Sequence, residues 1–184
     1  RGSSQIVISQ LSIVLNVVYT PDWQIDISKG RRYLIKRVLV LFDLLSILGD
    51  IQPLFAGLAT TIRLPAKDKN YDIITHLSNI FLKNYHIKNI HDIQFKITTI
   101  LNNKYYSNFT ISNFRTWNLE TTQAILTRLP KNQVSACGIQ IVGDFNDRYA
   151  FNEKEGYFTK KSESEIIIDK GLHEIEKIIE KVRG

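Results

Sequence analysis

The chain has 184 residues, of which 43% are hydrophobic and 23% are charged. This composition is that of an ordinary globular protein, and it excludes collagen-like and intrinsically disordered chains. The formal net charge of +6 favours anionic partners, although a charge of this size also serves solubility.

The cysteine content indicates the cellular compartment of the protein. A single cysteine, Cys137, excludes an internal disulfide and any zinc site built from several cysteines, so we expect a reducing, cytoplasmic compartment. No methionine occurs, and residues 1–4 resemble a cloning remnant or a processed end. Because no linker, repeat or low-complexity tract divides the rest, we expect one domain over residues 5–184.

The first element in the chain is a strand with a regular alternation of apolar residues. Its apolar positions are Leu11, Ile13, Leu15, Val17 and Tyr19. Ile6 and Ile8 lie in the opposite phase, which predicts either a bulge near Gln10 or a strand that begins only at Leu11. Pro21 ends this strand, and a short extended piece around Ile25 and Ile27 follows.

Residues 31–48 are the most apolar continuous stretch and predict a central buried helix. Its polar side chains form one narrow stripe, so neighbouring elements must cover the remainder, with Leu41, Phe42 and Leu45 in the core. Ser28 is the predicted N-cap and Gly49 the predicted C-terminal cap. A membrane span is excluded, because the uninterrupted apolar run is far shorter than the roughly 20 residues required.

The later elements alternate between the strand period of two residues and the helical period of about 3.6 residues. Residues 53–65 are extended, residues 68–85 form an amphipathic helix, and a hairpin joins residues 93–101 to 105–114 through a turn at 102–104. Residues 118–129 favour a short helix only weakly, and residues 130–132 form a turn. A strand over 135–145 and a polar connection over 144–161 precede a C-terminal helix with a capping box at Ser162 and Glu165.

This order of elements predicts an α+β fold. We expect an antiparallel or mixed sheet of about five strands, with a long buried helix and two further helices packed mainly on one face.

The sequence carries no recognised catalytic, metal or cofactor motif. Nucleophile elbows, Walker loops and dinucleotide fingerprints are all missing. Asp144, Asn146 and Glu155 match three ligand positions of a calcium loop, but Arg148 and Tyr149 occupy the fifth and sixth positions. We therefore predict no catalytic residue, no metal and no cofactor.

Two features favour binding. The first is a cationic group at the start of the predicted helix, consisting of Lys29, Arg31, Arg32, Lys36 and Arg37. Backbone N–H groups at a helix start attract anions, so these residues predict anion binding; the alternative is that they solvate the helix end or pair with nearby aspartates. The second is a set of hairpin aromatics suited to base stacking, namely Tyr105, Tyr106, Phe114 and Trp117. The alternative for these rings is ordinary packing in the core.

These features predict a non-catalytic binding or assembly module more than an enzyme. The alternative is a nucleic-acid-binding domain that uses the basic helix start and the aromatic hairpin. A protein partner or self-association is expected through a seam on the C-terminal helix, formed by Ile168, Leu172, Ile175, Ile179 and Val182. The same seam can instead dock on its own chain, which we favour because fewer than three heptads make a short coiled coil.

Overall fold

The computed structural model describes residues 2–9, 11–24, 26–83, 89–117 and 134–183. Six strands lie in these ranges: β1 (Gly2–Ile8), β2 (Ile13–Tyr19), β3 (Gly57–Pro65), β4 (Gln94–Leu101), β5 (Tyr105–Trp117) and β6 (Val134–Asn146). Five helices lie there too: α1 (Pro21–Gln24), α2 (Ile27–Ile47), α3 (Ile73–Phe81), α4 (Arg148–Glu153) and α5 (Lys161–Arg183).

The strands form two antiparallel sheets, with β1 and β2 in one and the order β3-β6-β5-β4 in the other. The predicted α+β class, the antiparallel pairing and the long helix are confirmed. The predicted helix at residues 118–129 and the predicted turn at 130–132 lie outside the described residues.

The chain divides into two compact units, which we describe separately. The first unit comprises Arg1–Leu58, Ile100–Tyr106 and Phe145–Glu176. Its core cluster consists of Leu58, Tyr105, Phe145 and Ile167. Partly buried side chains such as Leu34 and Leu172 pack around that cluster.

The second unit comprises Ala59–Thr99, Ser107–Asp144 and Lys177–Gly184. Its buried apolar side chains include Leu77, Ile111 and Ile141, each with no exposed surface. The rings of Phe81 and Phe95 pack with centroids 4.7 Å apart. Packing of this kind is what the amphipathic period of α3 and the alternation in β4 predict.

The N-terminal segment is a hairpin rather than a single bulged strand. β1 pairs antiparallel with β2, so that Ile8 lies opposite Ile13 and Gly2 lies opposite Tyr19. The change of phase near Gln10 therefore marks a chain reversal, because a hairpin loop resets the alternation between its two strands. Gly2, Ser3 and Ser4, which were set aside from the predicted fold, lie in β1.

The long helix α2 begins earlier than predicted and is only partly buried. Asp26 is its N-cap, with a carboxylate oxygen that accepts the backbone N–H of Lys29, whereas Ser28 donates its hydroxyl to Asp26. The Ser28 hydroxyl and the Lys29 N–H lower the pKa of Asp26 to about 2. Only Gly30 and Leu45 are fully buried in α2, so the expectation that other elements cover all its remaining faces was wrong.

Two other boundaries differ from the predictions. Residues 144–161 include the short helix α4 and are not simply a polar connection. Helix α5 begins at Lys161, because the carbonyl of Lys160 accepts the N–H groups of Glu163 and Ser164. Ser162 consequently lies inside the first turn, and the predicted capping box does not form.

Candidate functional site

The cationic side chains at the start of α2 differ in the contacts that they make within the chain. Arg31 donates from two guanidinium nitrogens to both carboxylate oxygens of Asp169, at 2.6 and 2.7 Å. This fork-to-fork pair raises the pKa of Arg31. Lys29 lies 3.1 Å from a carboxylate oxygen of Asp26. Two of the five predicted anion-binding residues thus already contact carboxylates of their own chain.

The remaining three cations lie further along the same helix. The guanidinium of Arg37 lies over the ring of Tyr33, 5.1 Å from its centroid. Arg32 and Lys36 are exposed, and they lie one turn apart on one helix face because four residues separate them. These two side chains are therefore the best placed to meet an anion from solution.

Tyr105, the first of the predicted stacking residues, lies in the core. It is 3% exposed, and its ring stacks on Phe145 with centroids 5.1 Å apart. Its hydroxyl donates to Glu163, which also accepts from the ammonium group of Lys104. Burial, then the bond to Glu163, raises the pKa of Tyr105 well above its usual value. This ring offers no surface on which a base could stack.

The other three aromatic residues are half-buried. Tyr106 meets Tyr149 edge to face at 5.4 Å, and the guanidinium of Arg63 lies 5.5 Å from the ring centroid of Phe114. Trp117, at the end of β5, is also only partly exposed. For Tyr106 and Phe114, side chains of the same chain thus occupy positions that a stacking base would need.

A buried carboxyl group, which the sequence reasoning missed, organises the segments around β3 and α4. Asp147 has no exposed surface; one oxygen accepts the N–H of Ala56 at 2.8 Å. Its other oxygen accepts the hydroxyls of Tyr157 and Thr159, each at 2.7 Å. Burial and the bond to Asp147 raise the pKa of Tyr157. Because each oxygen already accepts hydrogen bonds, we interpret the arrangement as a structural clamp, not a reacting centre.

A shallow cavity of about 320 Å³ lies beside β4 and β5. Asp92, Ile93 and Asn113, which line it, hydrogen-bond to one another. Asn113 donates to Asp92 at 2.9 Å and accepts the N–H of Ile93 at 2.7 Å. Arg115 donates to the same carboxylate at 3.0 Å. The bond from Asn113 is the main cause that lowers the pKa of Asp92. The side chains of Asp92 and Asn113 are therefore already engaged within the chain.

The β1–β2 hairpin has large apolar side chains exposed to solvent. We call them the hairpin surface: Ile6, Val7, Ile8, Leu11, Ile13, Val14 and Val18. Leu11 is 97% exposed and Val18 is 65% exposed. The register places Ile6, Ile8 and Ile13 on one face, and Val7, Val14 and Val18 on the other. Both faces of this two-stranded sheet therefore present apolar groups.

The hairpin contains no charged residue between positions 2 and 19. Exposed edge strands usually carry lysine, proline or a bulge that prevents pairing with another chain. The pairing is regular from the pair Gly2 and Tyr19 to the pair Ile8 and Ile13, without a bulge. No proline occurs before position 21. The usual protections against edge pairing are thus missing from this hairpin.

The base of the hairpin is anchored on α2 by polar and aromatic contacts. Tyr33 donates its hydroxyl to Ser4 at 3.0 Å, and Tyr19 donates to the carbonyl of Gly30 at 3.1 Å. The rings of Tyr19, Trp23 and Tyr33 lie with centroids 6.2 to 6.4 Å apart. The hairpin is therefore held at its base, while its far end is open to solvent.

A second exposed apolar stripe runs along the end of α2. We call it the helix stripe: Val40, Leu44, Ile47, Leu48 and Ile51. By contrast, the predicted seam on α5 is covered within the chain, since Ile168, Ile175 and Val182 are all buried. This burial is what docking on its own chain predicts.

None of the helices in the described ranges is both long enough and apolar enough to cross a membrane. Comparisons of the chain with protein-family models, with curated proteins and with solved structures found no match.

Proposed function

We propose that this chain is a non-catalytic binding or assembly module that docks through the hairpin surface. The observation that carries the proposal is the exposure of seven large aliphatic side chains on a hairpin without a single charge. Isolated exposed apolar residues are normal on proteins, but a contiguous apolar surface usually marks an interaction site.

The energetics of a lone hairpin support the same proposal. A two-stranded sheet is marginally stable by itself in water, because most of its side chains and both of its edges stay solvated. Covering apolar surface contributes roughly 25 cal/mol for each Å² removed from water. A partner that covers the hairpin surface would therefore stabilise both the hairpin and the complex.

The first prediction concerns a double substitution, Val7→Lys with Val18→Lys. Both side chains are exposed on the same face, so the free energy of unfolding should change by no more than about 0.5 kcal/mol. Binding of an uncharged polarity-sensitive dye such as Nile red to dilute protein should fall. Chemical denaturation and dye fluorescence measure the two effects.

The matched control is Ile100→Lys, which adds a charge at an exposed apolar position on β4. It should leave most of the dye binding in place, because the hairpin surface is intact. A loss of more than about 1 kcal/mol in the Val7 and Val18 variant would mean that the hairpin belongs to the core. That outcome would contradict the proposed binding role.

The second candidate function is anion binding, including nucleic acid, at the start of α2. The observation in its favour is the exposure of Arg32 and Lys36 on one helix face of a chain with net charge +6. Guanidinium and ammonium groups one turn apart can contact neighbouring phosphates. The stacking residues add little support, because the ring of Tyr105 is buried.

The second prediction is that Arg32→Gln with Lys36→Gln lowers retention on heparin or single-stranded DNA. Each lost phosphate contact should reduce the slope of log affinity against log salt by about 0.7 to 0.9, so the pair should remove about 1.5 units. Arg31→Gln is the control, since Asp169 already engages that guanidinium. Equal elution of the double variant and the parent would exclude this site.

A further inference from the structure

We propose that a second copy of this chain pairs with the outer edge of β1, so that the two β1 strands lie antiparallel, edge to edge, around a twofold axis. This inference rests on the proposed binding function and names its partner. The resulting sheet would have the order β2-β1-β1-β2, with each copy contributing one hairpin.

The nature of the hairpin favours a strand as the partner. Within the described residues β1 and β2 form a sheet of only two strands, so the outer edge of β1 presents backbone N–H and C=O groups to solvent. A lipid surface would cover the apolar side chains but would leave these edge groups without hydrogen bonds. A pairing strand satisfies the edge and covers apolar side chains at the same time.

Charge favours a second copy over a partner of opposite charge. The chain carries a net charge of +6, yet residues 2–19 contribute none of it. Two copies therefore approach at the hairpin without placing like charges in contact. An acidic partner would instead be attracted to the basic residues elsewhere and would gain nothing from this uncharged edge.

The residues of β1 are more exposed than those of β2. All seven residues of β1 are exposed, whereas Leu15, Val17 and Tyr19 of β2 are half-buried. Identical strands that pair antiparallel obey twofold symmetry, and this is the commonest arrangement of homodimers. If all seven residues pair, the axis passes at Gln5, the central residue of β1.

Pairing through β1 would join the two hairpins into one sheet of four strands. Cross-strand contacts would cover part of Ile6, Val7 and Ile8 on β1, while the other residues of the hairpin surface lie on β2 or in the loop. Four paired strands exceed the two that are only marginally stable in water.

The third prediction uses complementary charges at the proposed axis. Gln5→Lys and Gln5→Glu each place two like charges directly opposite one another, which destabilises a strand pair. Each variant should raise the dissociation constant of the dimer severalfold, up to about fivefold, while an equal mixture of the two variants should restore dimerisation as a heterodimer. Sedimentation velocity over a hundredfold concentration range measures all three samples.

Cross-linking tests the register independently. Gln5→Cys should form a disulfide between copies on mild oxidation, because residues directly opposite in an antiparallel pair have Cα atoms about 4.5 to 5.5 Å apart. The parent is the background control, since its single cysteine is buried. Val18→Cys is the control on β2 and should remain unlinked. In the proposed sheet both β1 strands lie between the two copies of β2, so the two Val18 positions are too far apart to form a disulfide.

The outcomes separate this inference from the proposed function. A parent that stays monomeric over the whole concentration range overturns the dimer, although the dye test can still support a hairpin that binds a different protein. A dimer that resists both charges at Gln5 but dissociates with Ile47→Lys overturns the β1 edge in favour of the helix stripe. Restoration by the mixed variants, together with the cross-link at Gln5, supports the pairing of β1 with β1.

Discussion

Replacing Asp147 with alanine is expected to lower the free energy of unfolding by about 3 to 5 kcal/mol. The substitution removes the acceptor for the hydroxyls of Tyr157 and Thr159 and for the N–H of Ala56, all of which lie at 2.7 to 2.8 Å. Because the site has no exposed surface, water cannot simply replace the lost acceptor. Urea denaturation followed by circular dichroism measures the change.

Two controls show whether the loss comes from the clamp. Tyr157→Phe removes one donor but keeps the ring, so it should cost about 1 kcal/mol, well below the loss from Asp147→Ala. Glu155→Ala changes an exposed carboxylate in the same loop and should stay within about 0.5 kcal/mol of the parent. If all three variants unfolded at the same midpoint, the buried carboxyl would have no structural role.

Elements defined by local sequence were predicted well. The turn at residues 102–104 is an example, since Asn102 and Asn103 both have positive φ values, of 53° and 49°. Asparagine tolerates this left-handed region, and two such residues in succession suit a tight hairpin turn. Gly49 likewise ends α2 with a φ of 134°, as its position after the apolar run predicted.

Contacts between distant positions could not be read from the sequence. Arg31 and Asp169 are 138 residues apart, and nothing near either residue indicates that the two side chains form a pair. The sequence placed Arg31 among anion-binding residues because the start of a helix attracts anions; the fold supplies a carboxylate from α5 instead. Asp147 was missed for a related reason, since one of its partners, Ala56, is 91 residues away, and the other two, Tyr157 and Thr159, lie in the segment after α4.

Gly171 shows how tertiary packing reverses a judgement based on propensity. Glycine inside a helix costs about 1 kcal/mol relative to alanine, so propensity alone marks this position as a weakness in α5. In the structure a Cβ at Gly171 would lie 2.9 Å from Leu58 and 3.1 Å from Phe145. The absence of a side chain allows α5 to approach the core of the first unit closely, and this requirement depends on residues far away in sequence.

The sequence prediction for the long helix α2 was right in one part and wrong in another. Leu45 is 7% exposed and lies in the core as predicted, whereas Leu41 and Phe42 are only half-buried. The apolar run correctly predicted a helix, but periodicity alone could not show that its exposed face carries Val40, Leu44 and Ile47. Whether another chain covers that face depends on assembly, which the local pattern does not encode.

Leu45→Ala is expected to lower the free energy of unfolding by about 2 to 5 kcal/mol. The side chain is buried, so its truncation loses the transfer free energy of three carbon atoms and leaves a cavity that neighbours fill only partly. Chemical denaturation measures the change, and the slope with denaturant should remain that of the parent if folding stays two-state.

The neighbouring residue provides the matched control, because Leu44 is the same amino acid in the same helix but is 46% exposed. Leu44→Ala should cost about 1 kcal/mol or less. Alanine is the better helix former, and that advantage is the same at both positions, so the difference between the two variants reports burial alone. Equal losses of unfolding free energy at Leu44 and Leu45 would show that the face of α2 with Leu45 is not the one that packs on the core, contrary to the structure.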